Sequence, residues 1–317
     1  MSSKGKYTFG PITDRDNIIN IQLYGDKTYE MLVVEEYEAR LELRKKGLLP
    51  DPRIMIPQIQ EMEVFEDNVF ICAYVKCGTH WVWEMCQMII SGKAEFFPKA
   101  KECCMMEFHL TDEYNELPRP RVFNTHLTPR CLPRQAFKKR CKMIIIERNP
   151  KDIMTSYYHH MRGILTPTEG SLMTWSQYIQ SVYDNNRQVS SNWFFHKKKW
   201  SEFLSSSNQP ILLLKYEDIK MNTVKCLAKI GEFLQYPRDE ALLKEINDKC
   251  SVQNMREMEK DRDTGTDFVS SDQVSGLYRK GVVGDWKHHF TVAQSEQFDD
   301  LIKENMDGID VNYKYEI

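Results

Sequence analysis

The clearest order along the chain is a set of four short apolar runs, Val69 to Val75, Arg121 to Thr125, Lys142 to Glu147 and Pro210 to Lys215, each rich in β-branched residues or leucine. Runs of this length without regular polar alternation predict strands buried on both faces. Three of them lead toward segments of helical periodicity, Thr79 to Ile90, Pro150 to Arg162 and Glu217 to Leu234. Strands alternating with helices predict an α/β fold: one domain built on a central parallel sheet with helices on both faces. Upstream, Lys27 to Lys46 reads as a charged amphipathic helix closed by Gly47 and Pro50. The residues before it read as an N-terminal arm over 1–26, leaving 27–317 as the domain.

In such a sheet, ligands bind beyond the carboxyl ends of the strands, where loops turn into helix N-termini. Two of these loops carry charge. After the first run comes Lys76-Cys-Gly-Thr-His-Trp81. Gly78 permits a tight turn and close approach of the backbone, Thr79 and His80 bring donors, and Lys76 adds a full positive charge, a combination suited to an anion. The Walker A pattern GxxxxGK[ST] is absent, since the lysine precedes the glycine. Taken alone, the loop reads as a plain strand-to-helix turn with a surface lysine. After the third run, Arg148 stands at a strand end, Pro150 suits the first helical turn, and Ser156 follows about two turns into the helix. A guanidinium and a hydroxyl so placed suit one phosphate, although these residues alone read more simply as Arg148 paired with Asp152 or Glu147.

Composition narrows the field. The 317 residues carry 43 Lys+Arg against 46 Asp+Glu, a net charge of −3, and 41% of them are apolar. That balance excludes disorder and argues against a mainly electrostatic partner such as nucleic acid. The basic clusters Lys138-Lys-Arg140 and Lys197-Lys-Lys199 therefore read as solvated faces. No run approaches the about 20 apolar residues that span a bilayer, so membrane insertion is not expected. The N-terminus lacks a secretory signal pattern. Nine cysteines without regular spacing, and no Asn-x-Ser/Thr sequon, favour reduced thiols and a cytoplasmic address. No metal site is expected.

Five segments in succession resemble the motifs of the cytosolic sulfotransferases: Tyr74-Val-Lys-Cys-Gly-Thr-His-Trp81, Asn124-Thr-His-Leu127, Arg148-Asn-Pro-Lys-Asp-Ile-Met-Thr-Ser-Tyr-Tyr158, Tyr216-Glu-Asp218 and Arg279-Lys-Gly-Val-Val-Gly-Asp-Trp286. They occur in the family's order over about residues 30 to 312, which is far more specific than any one of them. The resemblance implies a P-loop-NTPase-like fold that binds 3′-phosphoadenosine-5′-phosphosulfate (PAPS), transfers its sulfuryl group to a small apolar acceptor bearing a hydroxyl or amine, and releases adenosine 3′,5′-bisphosphate (PAP).

By resemblance, Lys76, Cys77, Gly78, Thr79, His80 and Trp81 surround the 5′-phosphosulfate and adenine, and Lys76 serves the chemistry itself. Arg148, Ser156, Arg279, Lys280 and Gly281 hold the 3′-phosphate, while Tyr216, Cys250 and Met255 lie about the base. His126 takes the acceptor's proton, a task suited to an imidazole near neutral pKa. His159, His160, His288 and His289 have no partner pattern of this kind. Tyr24, Phe108, Tyr157 and His160 are candidates for the acceptor pocket. Lys287, Thr291, Val292 and Glu296 match the Lys-x3-Thr-Val-x3-Glu arrangement by which the family pairs its subunits, implying a homodimer.

The chain also departs from the family pattern. Asn124 stands where the family has lysine, Cys77 replaces serine, His80 replaces threonine, and Cys250-Ser251-Val252 replaces Thr-Ser-Phe. Loss of the lysine removes one charge-assisted donor aimed at the transferring group. Two readings follow: His80 partly replaces that lysine, or the chain binds the donor and transfers weakly. A P-loop-type kinase is a third reading, opposed by the missing Walker A pattern.

Overall fold

The computed structural model describes residues 52–109, 111–164, 173–183, 193–260, 262–264 and 278–317, together with strands β1 (Ile18–Gln22) and β2 (Thr28–Leu32). These two strands pair antiparallel with Ile18 opposite Leu32. Strand β2 thus occupies the start of the segment expected to be helical over 27–46, and the rest of that segment lies outside the described residues. Thr28-Tyr-Glu-Met-Leu32 satisfies a period of two as well as a helical period, and the partner strand decides between them. The expected boundary at 26/27 falls between the two paired strands.

The main sheet contains β3 (Val69–Ala73), β4 (Val122–Thr125), β5 (Lys142–Glu147) and β6 (Ile211–Lys215), all parallel in the order β4-β3-β5-β6. The expected strands are present, Lys142–Glu147 with the expected bounds and the other three trimmed by one or two residues. Every residue of β3 and β4 is buried, as are Met143 to Glu147 of β5, whereas the edge strand β6 leaves Leu213 42% exposed. Burial on both faces is the condition that made these runs continuous rather than alternating.

The helices are α1 (Pro52–Glu61), α2 (Thr79–Ser91), α3 (Arg134–Lys138), α4 (Pro150–Ile164), α5 (Trp175–Tyr183), α6 (Trp193–Ser206), α7 (Tyr216–Met221), α8 (Thr223–Leu234), α9 (Glu240–Lys249), α10 (Val252–Glu259) and α11 (Val292–Asn305). The single helix expected over 217–234 is two. Asn222 takes non-helical dihedrals, and its side-chain oxygen accepts from the Lys225 N–H at 3.0 Å, ending α7 and capping α8. Two ties fix the helices that frame the site. The Trp83 indole of α2 donates to the Val122 carbonyl at 2.8 Å. Arg262 meets Glu84 of α2 at 2.6 Å and Glu259 of α10 at 2.8 Å, all three buried. Burial raises the Glu84 carboxyl to about 7 against the pull of Arg262, so this guanidinium is what makes the buried pair of acids tolerable.

From β3 the chain passes to β4 on one side and then to β5 on the other. That reversal opens a crevice above the carboxyl ends of β3 and β5, where the two charged loops emerge. No helix among the described residues is long and apolar enough to cross a membrane. All nine cysteines are free and buried.

Candidate active site

The loop after β3 is held in a shape that few residues accept. Lys76 has φ 64° and Gly78 has φ 97°, both left-handed. At Gly78 a Cβ would lie 2.8 Å from Tyr216 Cδ2, so the glycine is required by space as well as by conformation. Helix α2 then begins with no side chain capping its first N–H groups, which leaves its positive end open toward the crevice.

Tyr216, buried at the start of α7, gathers the other parts. The Arg148 guanidinium carbon sits 4.2 Å above its ring, and Trp81 meets it edge-on at 5.8 Å. A Cβ on Gly281 would fall 2.3 Å from Val252 and 4.0 Å from the Tyr216 hydroxyl. Arg148 donates to the Lys76 carbonyl at 3.0 Å and to the Val282 carbonyl at 3.1 Å, with Asp152 at 3.7 Å. One guanidinium therefore joins the first loop to the 278–286 loop, while its buried Nε has no partner among the described residues. Pairing with Asp152, open from sequence, is the long contact of the three; Glu147 instead binds Lys197 at 2.7 Å.

Asp152 spends its carboxylate on the backbone, accepting from Gly284 at 2.9 Å and Trp286 at 3.0 Å. Ser156, four residues on, shares that face of α4 and is half-buried. Arg279 and Lys280 both meet Asp285, the latter at 2.6 Å. Burial alone would raise the Asp285 carboxyl, but bonds from Lys280 and Arg279 outweigh it and hold it at about 2. Arg279 and Lys280 thus form a cationic pair ordered by an internal anion.

Other positions face differently. The Cys77 thiol is buried, and burial pushes its pKa far up. The Cys250 thiol points into the core, 3.9 Å from Met88 Sδ, and Met255 is also buried. From the 250–252 segment it is Val252 that touches Gly281. His80 turns away from the helix end to bond Glu102 at 2.7 Å. Burial first, then Lys101, lowers its pKa to about 4, so it is neutral near pH 7. That geometry commits the His80 Nε2 proton to Glu102 rather than to an incoming anion. Burial would raise Glu102, yet His80 and Lys101 together hold it at about 2.

At the end of β4, Asn124 is fully buried and His126 half-buried. His126 Nδ1 bonds the Ala73 carbonyl, the last of β3, at 2.8 Å. A carbonyl accepts only, so Nδ1 carries the proton and Nε2 presents a lone pair. The His126 N–H and the Thr125 hydroxyl both donate to Glu107, the hydroxyl at 3.0 Å. Burial, then Lys101, pushes the His126 pKa well below its ordinary value. Sequence reading passed over Lys101, Glu102, Glu107 and Asp285: they carry no spacing signal and act from loops that only the fold brings in. Tyr24 lies outside the described residues; Phe108 is half-buried, and Tyr157 and His160 lie 5.9 Å apart on α4. His159 and His289 bond one another at 2.7 Å beside the Arg279–Lys280–Asp285 cluster, His289 Nδ1 lying 3.1 Å from the Asp285 carbonyl. Among the described residues no group of acids, histidines and cysteines is arranged to hold a metal ion.

Near the C-terminus, Lys287, Thr291, Val292 and Glu296 are all exposed, Val292 by 77%. Thr291 caps α11 in a reciprocal box with Gln294.

A sulfotransferase-domain model matches residues 66–310. Human Sulfotransferase 1C2 is 34% identical over 275 residues, covering 82% of this chain and 90% of the relative. Zebrafish (Danio rerio) Sulfotransferase 6B1 is 30% identical, covering 84% and 88%. Among solved structures, mouse sulfotransferase SULT7A1 complexed with PAP superposes with TM-score 0.66 at 30% identity, over 81% of this chain and 91% of that one. Retinol dehydratase in a complex with retinol and PAP shares the fold, with TM-score 0.66 at 18% identity over 97% and 99%. The motifs, their convergence on one crevice and these likenesses agree: the chain belongs to the sulfotransferase family.

Proposed function

We propose that the protein transfers the sulfuryl group of PAPS to a hydroxyl or amine of a small apolar acceptor by in-line displacement, with His126 as base, and releases PAP. The observation that carries this reading is the orientation of His126. Its Nδ1 is tied to the last carbonyl of β3, the strand that leads into the uncapped start of α2, and its Nε2 keeps a lone pair. The acceptor oxygen bonds sulfur as the bond from sulfur to the leaving phosphate oxygen breaks; the acceptor's proton passes to Nε2, and the electron pair stays on the phosphate. Lys76 and the first N–H groups of α2 gather the 5′-phosphate, with Gly78 and Thr79 in the turn. Arg148, Ser156, Arg279, Lys280 and Gly281 take the 3′-phosphate, and Trp81 and Tyr216 border the base. The PAP complex of the mouse relative supports the donor.

Calorimetry tests the donor: PAP is expected to bind at least ~10²-fold tighter than adenosine 5′-monophosphate, about 3 kcal/mol for the charge-assisted bonds to the 3′-phosphate. Labelled PAPS with a panel of phenols, sterols and amines tests transfer. Tight PAP binding with no transfer to any acceptor favours the second reading, a donor-binding protein of the same fold, which Asn124 in place of lysine supports. Equal affinity for both nucleotides removes the proposal altogether.

The exposed Lys287, Thr291, Val292 and Glu296 would pair two copies in a small homodimer interface, Val292 giving an apolar contact otherwise left in water. Light scattering should then give twice the 37.5 kDa chain mass, and a monomer at micromolar concentration refutes the pairing. Nine free cysteines fit a reducing, cytoplasmic compartment.

A further inference from the structure

The ammonium of Lys101 is placed in a way that its surroundings do not account for. Lys101 opens the 3₁₀ turn Lys101–Cys104 and is 2% exposed. Its Nζ donates to the Asn124 side-chain oxygen at 2.7 Å and reaches the weak acceptor Met105 Sδ at 3.6 Å. The nearest carboxylate oxygen, on Glu102, is 4.0 Å away and already bonds His80. An ammonium has three donors, and a buried cation without a close anion is costly. Among the described residues one strong acceptor leaves it short of partners, and burial lowers its pKa against the opposing pull of Glu102 and Glu107. The Asn124 amide in turn donates to the Lys101 carbonyl at 3.1 Å, so the two side chains are locked together from both ends.

The position of that cation is informative. Asn124 lies on β4 and His126 is the first residue past its end, so the Lys101–Asn124 pair stands two residues from the base. Lys101 is also the charge that acts most strongly on His126 and, after burial, the foremost one depressing His80, the second residue of α2. Its Nζ, 2.7 Å from Asn124 Oδ1 and 4.0 Å from the Glu102 oxygen that bonds His80, therefore lies near both the base and the donor loop. An asparagine carbonyl plus one short hydrogen bond reaches from the backbone about as far as an extended lysine side chain.

We propose that Lys101, seated on Asn124, supplies the ammonium that a lysine at position 124 would otherwise bring to the transferring group. This deepens the sulfuryl-transfer reading and rests on it. As the bond from sulfur to the bridging phosphate oxygen breaks, the electron pair left on that oxygen meets the Lys101 Nζ, while the acceptor's proton goes to His126. The departure at Asn124 is then a relocation of the cation from a strand to the neighbouring 3₁₀ turn. His80, engaged by Glu102, is not needed for that part.

The test compares wild type with Lys101→Gln, Lys101→Met and the double variant Lys101→Met/Asn124→Lys. Lys101→Gln keeps a donor for Asn124 and removes the charge; it should lower kcat by ~10²-fold to ~10³-fold, with the KM for donor changing less. The double variant, its lysine returned to the strand, should recover at least about tenfold over Lys101→Met, as expected for one restored charge-assisted donor. The groups facing His126 are Lys101 from the 3₁₀ turn, Glu107 from the loop after it, His80 from α2 and His196 from α6. Removing the lysine charge among them should move the acid limb of the pH profile upward. Lys101→Gln within threefold of wild type, or a double variant no better than Lys101→Met although both bind PAP and melt like wild type, overturns the proposal. Should wild type itself transfer to no acceptor, it is the sulfuryl-transfer reading that fails. The His126 titration followed by NMR then still decides where Lys101 acts: a midpoint that rises in Lys101→Gln supports the placement, and an unmoved one refutes it.

Discussion

Replacing His126 by alanine is expected to reduce sulfuryl transfer by ~10²-fold to ~10⁴-fold, the usual contribution of a positioned general base. PAP affinity should stay within a few-fold of wild type. The separation of effects follows from the geometry. The His126 ring touches the Ala73 carbonyl at the end of β3, whereas the cations proposed for the nucleotide stand on the other loops. Burial, then the Lys101 charge, keeps the imidazole neutral well below its ordinary pKa, so the base form persists through neutral pH. Turnover of the wild type should accordingly decline only as the pH falls well below about 6.5. Stability follows the same sign. The unfolded chain binds protons at His126, His80 and His196 that the native state refuses, so stability is full above the unfolded value and is lost as the pH falls toward the depressed native values, about 4 for His80 and about 3 for His196. Steady-state kinetics beside PAP calorimetry checks the separation. Unchanged kcat in His126→Ala removes it from the base role.

Replacing Arg148 by methionine is expected to weaken PAP binding by ~10²-fold and to erase most of the preference over adenosine 5′-monophosphate, a loss of about 3 kcal/mol from the 3′-phosphate contact. The variant loses more than a ligand contact. Two carbonyls, of Lys76 and Val282, surrender their donor, and the 278–286 loop loses its tie to the donor loop. That should cost about 1–3 kcal/mol of stability as well. Arg148→Lys should not rescue the preference, because a single ammonium cannot reach two divergent carbonyls and stack on Tyr216 as the planar fork does. Calorimetry with the two nucleotides and a melting curve separate the two effects. A preserved nucleotide preference in a folded Arg148→Met protein would mean the 3′-phosphate is held elsewhere.

Much of this frame was legible in the chain. The buried strands announced themselves because burial on both faces demands unbroken apolar runs. The loops at 76–81 and 148–156 were recognisable because a left-handed glycine and a helix-starting proline have few substitutes. The helices over 240–249 and 252–259 and the opening helix 52–61 were passed over, since they cover the sheet from outside and their mixed faces lack such signals. The pairing of Ile18–Gln22 with Thr28–Leu32 was missed for a related reason: a local period compatible with a helix yields to a partner strand. Departures from the family pattern were also visible in the sequence, and Asn124 was marked as the place where a charge is missing.

The sequence by itself determined the parallel α/β architecture and the two anion-suited loops, because each depends on residue type and near-neighbour spacing, while the candidate base came from the resemblance to the family's motifs. The tertiary structure alone decided which charged groups meet: that Arg148 bridges two loops, that Asp285 orders Arg279 and Lys280, that His80 is spent on Glu102, and that the Lys101 ammonium is seated on Asn124. Charge acts through distance, and the relevant partners here stand up to 134 residues apart in the chain, so no local pattern encodes them.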